Sequence, residues 1–274
     1  MAYEDLARPP LDAATLQHAL VRPGSWWRDI VVTEHTESTN ADLAASARAG
    51  APEGTVATTD DQRSGRGRLN RAWSAPPRSG LVVSVLVRPD AVPTPRWPWL
   101  PLLAGVAVLE TVLRATTVDA VLKWPNDVMV GDRKLAGILT ERIETPDGAA
   151  AVIGIGLNVD LGDAELPTPH ATALNREGAA GLDRSVLLRN LLRTFEPLYR
   201  GWLAASGDPA EGLHESYVRR CSTLDKQVRV QLPGGKHLAG TAVAVDAAGR
   251  LVVDSAGTRH ALGAGDVVHL RPHS

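Results

Sequence analysis

The chain has 274 residues, 44% hydrophobic and 22% charged, enough apolar side chains to bury a sizeable core. Its net charge of -2 argues against a surface built throughout to hold nucleic acid. No run approaches 18 uninterrupted apolar residues, the start MAYEDLARPPLD is unlike a signal peptide, and Cys221 is the single cysteine, so we expect a cytoplasmic protein with no membrane span, disulfide framework or structural zinc.

Residues 11–22 place Leu11, Thr15, Leu16, Ala19 and Leu20 on one helical face, closed by Pro23-Gly24. A strand is expected over 30–35. The triplet Ser38-Thr39-Asn40 then supplies cap chemistry for a helix that stops at Gly50, and a second strand follows over 55–60. From Gln62 to Arg88 there are six arginines (Arg63, Arg66, Arg68, Arg71, Arg78, Arg88) and no acidic residue, about +6 within a near-neutral chain, which localises an anion site. A buried strand over 81–87 leaves this segment and ends at Pro89.

An apolar helix is expected from 102 to 114. VLKW and DVMV then flank Pro125-Asn126, and turns at Gly131-Asp132 and Pro146-Asp147-Gly148 join KLAGILTERIE and AAVIGIGLNVD into a meander. Residues 184–204 follow Asp183 as a capped helix that Pro197 should kink or split, and a further helix is expected over 209–220. From Thr223 the pattern changes to five short strands separated by Pro-Gly-Gly, Ala-Ala-Gly, Ala-Gly and Gly-Ala-Gly turns. The expected organisation is α+β: a mixed-sheet domain with packed helices over 1–222, and a small C-terminal β-barrel over 223–274.

Three constellations carry chemistry. In Gln62-Arg63-Ser64-Gly65-Arg66-Gly67-Arg68-Leu69-Asn70-Arg71-Ala72-Trp73, glycines allow close backbone approach to an anion, arginines offer forked donors and Trp73 offers an aromatic face. Taken alone, the same segment suits a basic loop on nucleic acid, and no P-loop pattern is present. Lys123 and Lys134 are two of only four lysines and lie eleven residues apart around a turn with Asn126 and Asp127; adjacent strands would bring them together around an anion. On its own, Pro125-Asn126-Asp127 reads equally as a turn. The glycines of Gly154-Ile155-Gly156-Leu157-Asn158 mark close approach of a ligand or a neighbouring backbone.

GRGRLNRAW, KWPNDVMV, RKLAGIL and GIGLNV, in this order after STN, closely resemble the biotin protein ligases over about residues 30–270. The Arg-Arg…Gly-Gly-Gly pattern of lipoate ligases and octanoyl transferases is not found. The resemblance implies a biotin/lipoate ligase-like fold with an SH3-like C-terminal domain. It implies activation of biotin by ATP to biotinyl-5′-AMP, release of pyrophosphate, and transfer of biotin to one lysine of a carboxyl carrier domain. By similarity, Arg66, Arg68, Lys134 and Lys123 would neutralise the reacting anions. Ser38, Thr39, Gln62 and Arg66, helped by the Gly137 backbone, would hold biotin. Arg68, Arg71, Trp73, Asn126, Lys134 and Asn158 would hold ATP or the adenylate, and Asp127 would order the site or its Mg2+. Only about 28 residues precede the match, so we expect a ligase without the DNA-binding winged helix of repressor members, acting as a monomer or weak homodimer. A lipoate or octanoate transferase and a nucleic-acid-binding module are the competing expectations.

Overall fold

The computed structural model describes residues 8–210, 212–232, 237–263 and 265–270. Its first helix, α1 (Ala13–Leu20), is capped by the Asp12 carboxylate, which accepts from the Thr15 amide at 2.9 Å. β1 (Asp29–Thr36) pairs in parallel with β2 (Thr55–Gln62), and α2 (Thr39–Arg48) crosses between them. The sequence shows strand, helix and strand here but not their pairing. Parallel strands need a long crossover, and the ten-residue α2 provides it. Ser38 is its N-cap, accepting from the Ala41 amide.

The basic segment forms a small hairpin of its own, with β3 (Gly65–Arg66) against β4 (Ala72–Trp73). The chain then re-enters the main sheet as β5 (Gly80–Val87). Next comes α3 (Trp99–Ala115), then the expected meander of β6 (Val121–Lys123), β7 (Asp127–Val130), β8 (Arg133–Thr145) and β9 (Gly148–Asn158). The seven strands are ordered β1-β2-β5-β9-β8-β7-β6, antiparallel except for the first pair.

Period-two alternation sorts β9 cleanly between the two faces of the sheet. Ile153, Ile155 and Leu157 enter the main core with α3, whereas Ala150 and Val152 join Leu43 and Ala47 of α2 in a smaller one. The stretch Thr94–Ala115 is long and apolar enough to cross a membrane by length and composition, yet 67% of its 18-residue apolar window is buried inside the protein. It packs against α4 (Arg184–Ala204) and the sheet. Pro197 does not split α4: it lies inside a helix that runs for 21 residues, so of the expected kink or split the split is corrected. The last helix, α5 (Leu213–Val218), is shorter than the expected 209–220.

The C-terminal region is a five-stranded antiparallel sheet, SH3-like, of β10 (Gln227–Gln231), β11 (His237–Val245), β12 (Leu251–Ser255), β13 (Thr258–Leu262) and β14 (Asp266–His269). The order β13-β12-β11-β10-β14 leaves its two edge strands unjoined among the described residues. The Pro-Gly-Gly turn and Lys236 lie outside them. This sheet shares one continuous core with the larger domain through Val228, Val230, Leu251 and Val253. Two buried indoles pin it down: Trp99 Nε1 donates to the Ala247 carbonyl and Trp124 Nε1 to that of Gly249, both at 3.0 Å.

Candidate active site

The face of the sheet carrying Gly154, Gly156 and Asn158 opens into a cavity of about 850 Å3 between α2, the basic hairpin, β8 and the C-terminal sheet. All thirteen residues singled out in the sequence as site candidates line it. Three of the six arginines of the basic segment do so: Arg66, Arg68 and Arg71. The others have different tasks. Arg63 pairs with Asp61 at 3.2 Å, Arg78 stands 3.7 Å from Asp60, and Arg88 donates to Thr145 Oγ1 and to the carbonyls of Ala47 and Ala51. The charge run is therefore part site and part scaffold.

One end of the cavity is built around amide and hydroxyl groups of Ser38, Thr39, Asn40 and Gln62. Gln62, at the end of β2, has its Oε1 occupied by the Thr39 amide at 3.0 Å and the Thr39 hydroxyl at 3.2 Å. Its amide hydrogens remain as donors. Asn40, at the start of α2, donates to Glu141 at 2.6 Å, and its Oδ1 accepts from the Ser84 hydroxyl at 2.6 Å. Asn40 reaches over Gly154 so closely that a Cβ there would stand 2.3 Å from its Oδ1. The resemblance places Ser38 and Thr39 on the ligand but not Asn40. The close pairing of a small residue on β9 with the third member of STN is visible only once the helix lies on the sheet.

The other end is cationic. The adjacent strands expected for Lys123 and Lys134 are instead separated by β7, which lies between β6 and β8. Asp127 on β7 is the register partner of both Lys123 and Gly137, and Lys134 Nζ stands 2.6 Å from its Oδ1. A carboxylate inserted between two ammonium groups lowers their mutual repulsion while leaving a net positive pair. Burial pushes the Lys123 ammonium below the ordinary lysine value, Asp127 opposes the shift and Lys134 adds to it. Burial likewise lowers the Arg68 guanidinium, with Asp127 opposing and Arg71 adding; a guanidinium remains charged regardless.

Asn126 fixes the geometry between these groups. Its backbone carbonyl accepts from the Ile138 amide at 2.9 Å, its Nδ2 donates to the Ile138 carbonyl at 2.8 Å, and its Oδ1 accepts from Arg68 at 3.2 Å. Arg68 also reaches the Gly265 carbonyl at 3.3 Å, so the C-terminal sheet touches the site directly, and Val267 and Val268 form part of the cavity wall. Nothing in the local sequence of 265–268 signals this. A loop before α4 adds Pro167, Thr168 and Ala171 to the wall, held against β8 by the Lys134 amide donating to the His170 carbonyl at 2.7 Å.

Between the two ends lies Trp73, with Lys134 Nζ 5.6 Å from its ring centroid. Asn158, buried at the end of β9, donates to the Thr172 carbonyl at 2.8 Å. Among the described residues there is no group of three or more His, Cys, Asp or Glu able to hold a metal ion. The Asp127 carboxylate is engaged by Lys134.

Residues 17–158 match the biotin/lipoate A/B protein ligase family, and residues 223–270 match the biotin protein ligase C terminal domain. The chain is 42% identical over 275 residues to the biotin–acetyl-CoA-carboxylase ligase of Mycobacterium tuberculosis, covering 99% of this chain and 100% of that protein. It is 33% identical over 228 residues to the bifunctional ligase/repressor BirA of Bacillus subtilis, covering 82% of this chain and 68% of that protein. A solved structure of the biotin protein ligase from Aquifex aeolicus in complex with biotin and ATP superposes with a TM-score of 0.73 at 24% identity, over 89% of this chain and 100% of that one; it is similar in fold.

Proposed function

The chain belongs to the biotin/lipoate A/B protein ligase family and is a biotin protein ligase, and from that premise we propose that it makes biotinyl-5′-AMP from biotin and ATP and passes the biotin to a lysine of a carboxyl carrier domain. The observation that carries this reading is a single cavity with the amide and hydroxyl groups of Ser38, Thr39 and Gln62 at one end, Lys123, Asp127 and Lys134 at the other, and Trp73 between.

In the first step a biotin carboxylate oxygen forms a bond to the α-phosphorus and the bond to pyrophosphate breaks. Two anions must approach, so cations fixed beforehand in a water-poor site supply the largest contribution. Arg66, Arg68 and Lys134 spread charge over the carboxylate and α-phosphate, and Lys123 takes the departing phosphates with Arg71. Asn126 holds the Arg68 fork in place. Ser38, Thr39 and Gln62 hold the ureido end of biotin with the Gly137 backbone, while Trp73 and Asn158 hold the adenine. We assign Mg2+ to the phosphates of the nucleotide itself, and Asp127 to the orientation of Lys134.

In the second step the neutral carrier amine attacks the acyl carbon, an amide forms and AMP leaves. The amine proton goes to solvent or to the departing AMP, and no protein nucleophile is used. The hairpin closes over the mixed anhydride and limits its hydrolysis. Use of ATP and of a carboxylase carrier supports a cytoplasmic setting. The engagement of Arg63, Arg78 and Arg88 within the fold supports a ligase that does not use this segment on DNA, and burial of Thr94–Ala115 supports one that does not use that helix in a membrane.

The test is biotin-dependent exchange of labelled pyrophosphate into ATP, on the unaltered chain and on Lys134→Ala. Exchange with biotin, a loss of at least about 100-fold in Lys134→Ala, and none with lipoate or octanoate is the expected result. Folded protein that exchanges with lipoate or octanoate instead, or with no acid, overturns the reading.

A further inference from the structure

The two ends of the basic hairpin are tied to the rest of the fold by a buried charge cluster that the cavity does not use. Asp60 lies on β2 just before Gln62, and Gly80 opens β5 on the far side of the hairpin. Arg184, the first residue of α4, sits between them. Its Nη2 stands 2.7 Å from Asp60 Oδ1 and donates to the Pro9 carbonyl at 2.6 Å, while Nη1 donates to the Gly80 carbonyl at 3.3 Å. The side chains of Arg184 and Asp60 are 6% and 7% exposed. From the returning end, the Arg78 amide donates to the Asp60 carbonyl at 2.7 Å, and Arg78 Nε stands 3.7 Å from Asp60 Oδ2. The Leu11 amide completes the Asp60 carboxylate at 3.2 Å.

This arrangement is an expensive way to fill space. A guanidinium in the first turn of a helix opposes the helix dipole. A buried ion pair recovers its desolvation only through further hydrogen bonds, and apolar side chains of similar volume are often as stable or more so. What the planar fork adds is direction: fixed donor positions that set β2, β5 and the segment around Pro9 at defined separations. The tie also continues past the end of β9. Arg8 pairs with Asp160 at 3.2 Å and Glu165 at 2.6 Å, and the Ser79 carbonyl accepts from the Val159 and Asp160 amides at 3.2 and 2.8 Å. Residues 8–11 thereby join the hairpin ends to the stretch that leads into the loop bearing Pro167 and Thr168.

We propose that Arg184, acting through Asp60, is a positioning residue that fixes the separation of the two hairpin ends and so sets how long Arg66, Arg68 and Trp73 stay closed over the acyl-adenylate. It touches neither substrate nor the cavity. The inference rests on the ligase reading above.

The experiment uses the full chain. Biotin-dependent pyrophosphate exchange is measured first, then release of preformed labelled adenylate into an excess of unlabelled biotin and ATP. The unaltered chain is compared with Arg184→Lys and Arg78→Ala, with thermal midpoints recorded. Lysine keeps the charge but loses the fork. Arg78 lies at the partly exposed rim of the cluster, so Arg78→Ala decides the matter if Arg184→Lys does not fold. The expected result is release about tenfold faster in Arg184→Lys and about threefold faster in Arg78→Ala, with kcat for exchange within about twofold of the unaltered chain. Release at the original rate in the folded variants overturns the proposal, as does a fall of kcat in step with retention, which is what general loosening of the fold would give. Absence of exchange in the unaltered chain removes the ligase reading itself, a different outcome.

Discussion

The indole of Trp73 lies against the backbone of Gly156, so closely that a Cβ on that glycine would stand 2.3 Å from Trp73 Cε2. The neighbouring strand repeats the arrangement, since a Cβ on Gly137 would stand 3.2 Å from Trp73 Cζ3 and 2.9 Å from Lys134 Nζ. The two glycines are register partners on β8 and β9, and together they make a floor on which an aromatic ring and an ammonium group rest side by side.

Gly156→Ala therefore displaces the ring rather than the strand, because β9 is held by ladders on both sides. The expected outcome is a rise in KM for ATP of about 10-fold or more, corresponding to about 1.4 kcal/mol of lost binding, with a thermal midpoint close to that of the unaltered chain. Steady-state exchange kinetics and a melting curve check both halves. An unchanged KM for ATP would show that the seat of Trp73 does not matter to the nucleotide.

The Lys123 ammonium is held below the ordinary lysine value mainly by burial, and Asp127 works against that shift. Removing the carboxylate removes an influence that favours the charged form, so the lysine deprotonates at lower pH still. In Asp127→Asn the alkaline limb of kcat/KM for ATP is expected to move to lower pH, while Asp127→Glu, which restores the charge, moves it back. A pH–rate profile of pyrophosphate exchange measures this directly.

Trp124 links KWPND to the C-terminal sheet through its indole N–H and the Gly249 carbonyl. Trp124→Phe keeps most of the apolar volume but leaves a buried carbonyl without that donor, at about 1–3 kcal/mol. A fall of the thermal midpoint by several degrees is expected. Since the same sheet supplies Gly265 to Arg68, the variant should also raise KM for ATP. Loss of stability with unaltered kinetics would show that the two contacts are independent.

His269 on β14 is held below the ordinary histidine value by burial first, then by Lys123 and Lys226, with Asp132 opposing. The folded protein thus binds this proton less tightly than the unfolded chain. As pH falls through about 6.5 the unfolded state gains the proton first, and stability is lost on the acid side. His269→Gln is expected to flatten the fall of the thermal midpoint between about pH 7 and pH 5. A parallel fall in both proteins would assign the acid loss to other groups.

Much of the site was legible in the sequence because its parts are local. GIGLN carries its own assignment: on a strand, residues two apart share a face, so Gly154, Gly156 and Asn158 must line one side while Ile155 and Leu157 enter the core. The glycines and arginines of 62–73, the STN cap and the pair of lysines around a turn likewise declare chemistry through residue type and spacing. Even the five short strands after Thr223 are written in their turns.

Tertiary structure decided what spacing cannot encode. Charge counting treats six arginines alike, but only packing directs Arg66, Arg68 and Arg71 into the cavity and sends Arg88 to cap the carbonyls of Ala47 and Ala51. Strand register, which no local pattern reports, sets Asp127 opposite Lys123 and beside Lys134 and makes it their shared counter-charge. The unbroken α4 shows packing overriding the helix-breaking tendency of Pro197. Contacts such as Arg184 with Asp60 or Arg68 with Gly265 join residues more than a hundred positions apart. The sequence names the groups that do chemistry, because chemistry depends on residue type; the fold decides which of them meet, because meeting depends on how distant segments bury their apolar faces against one another.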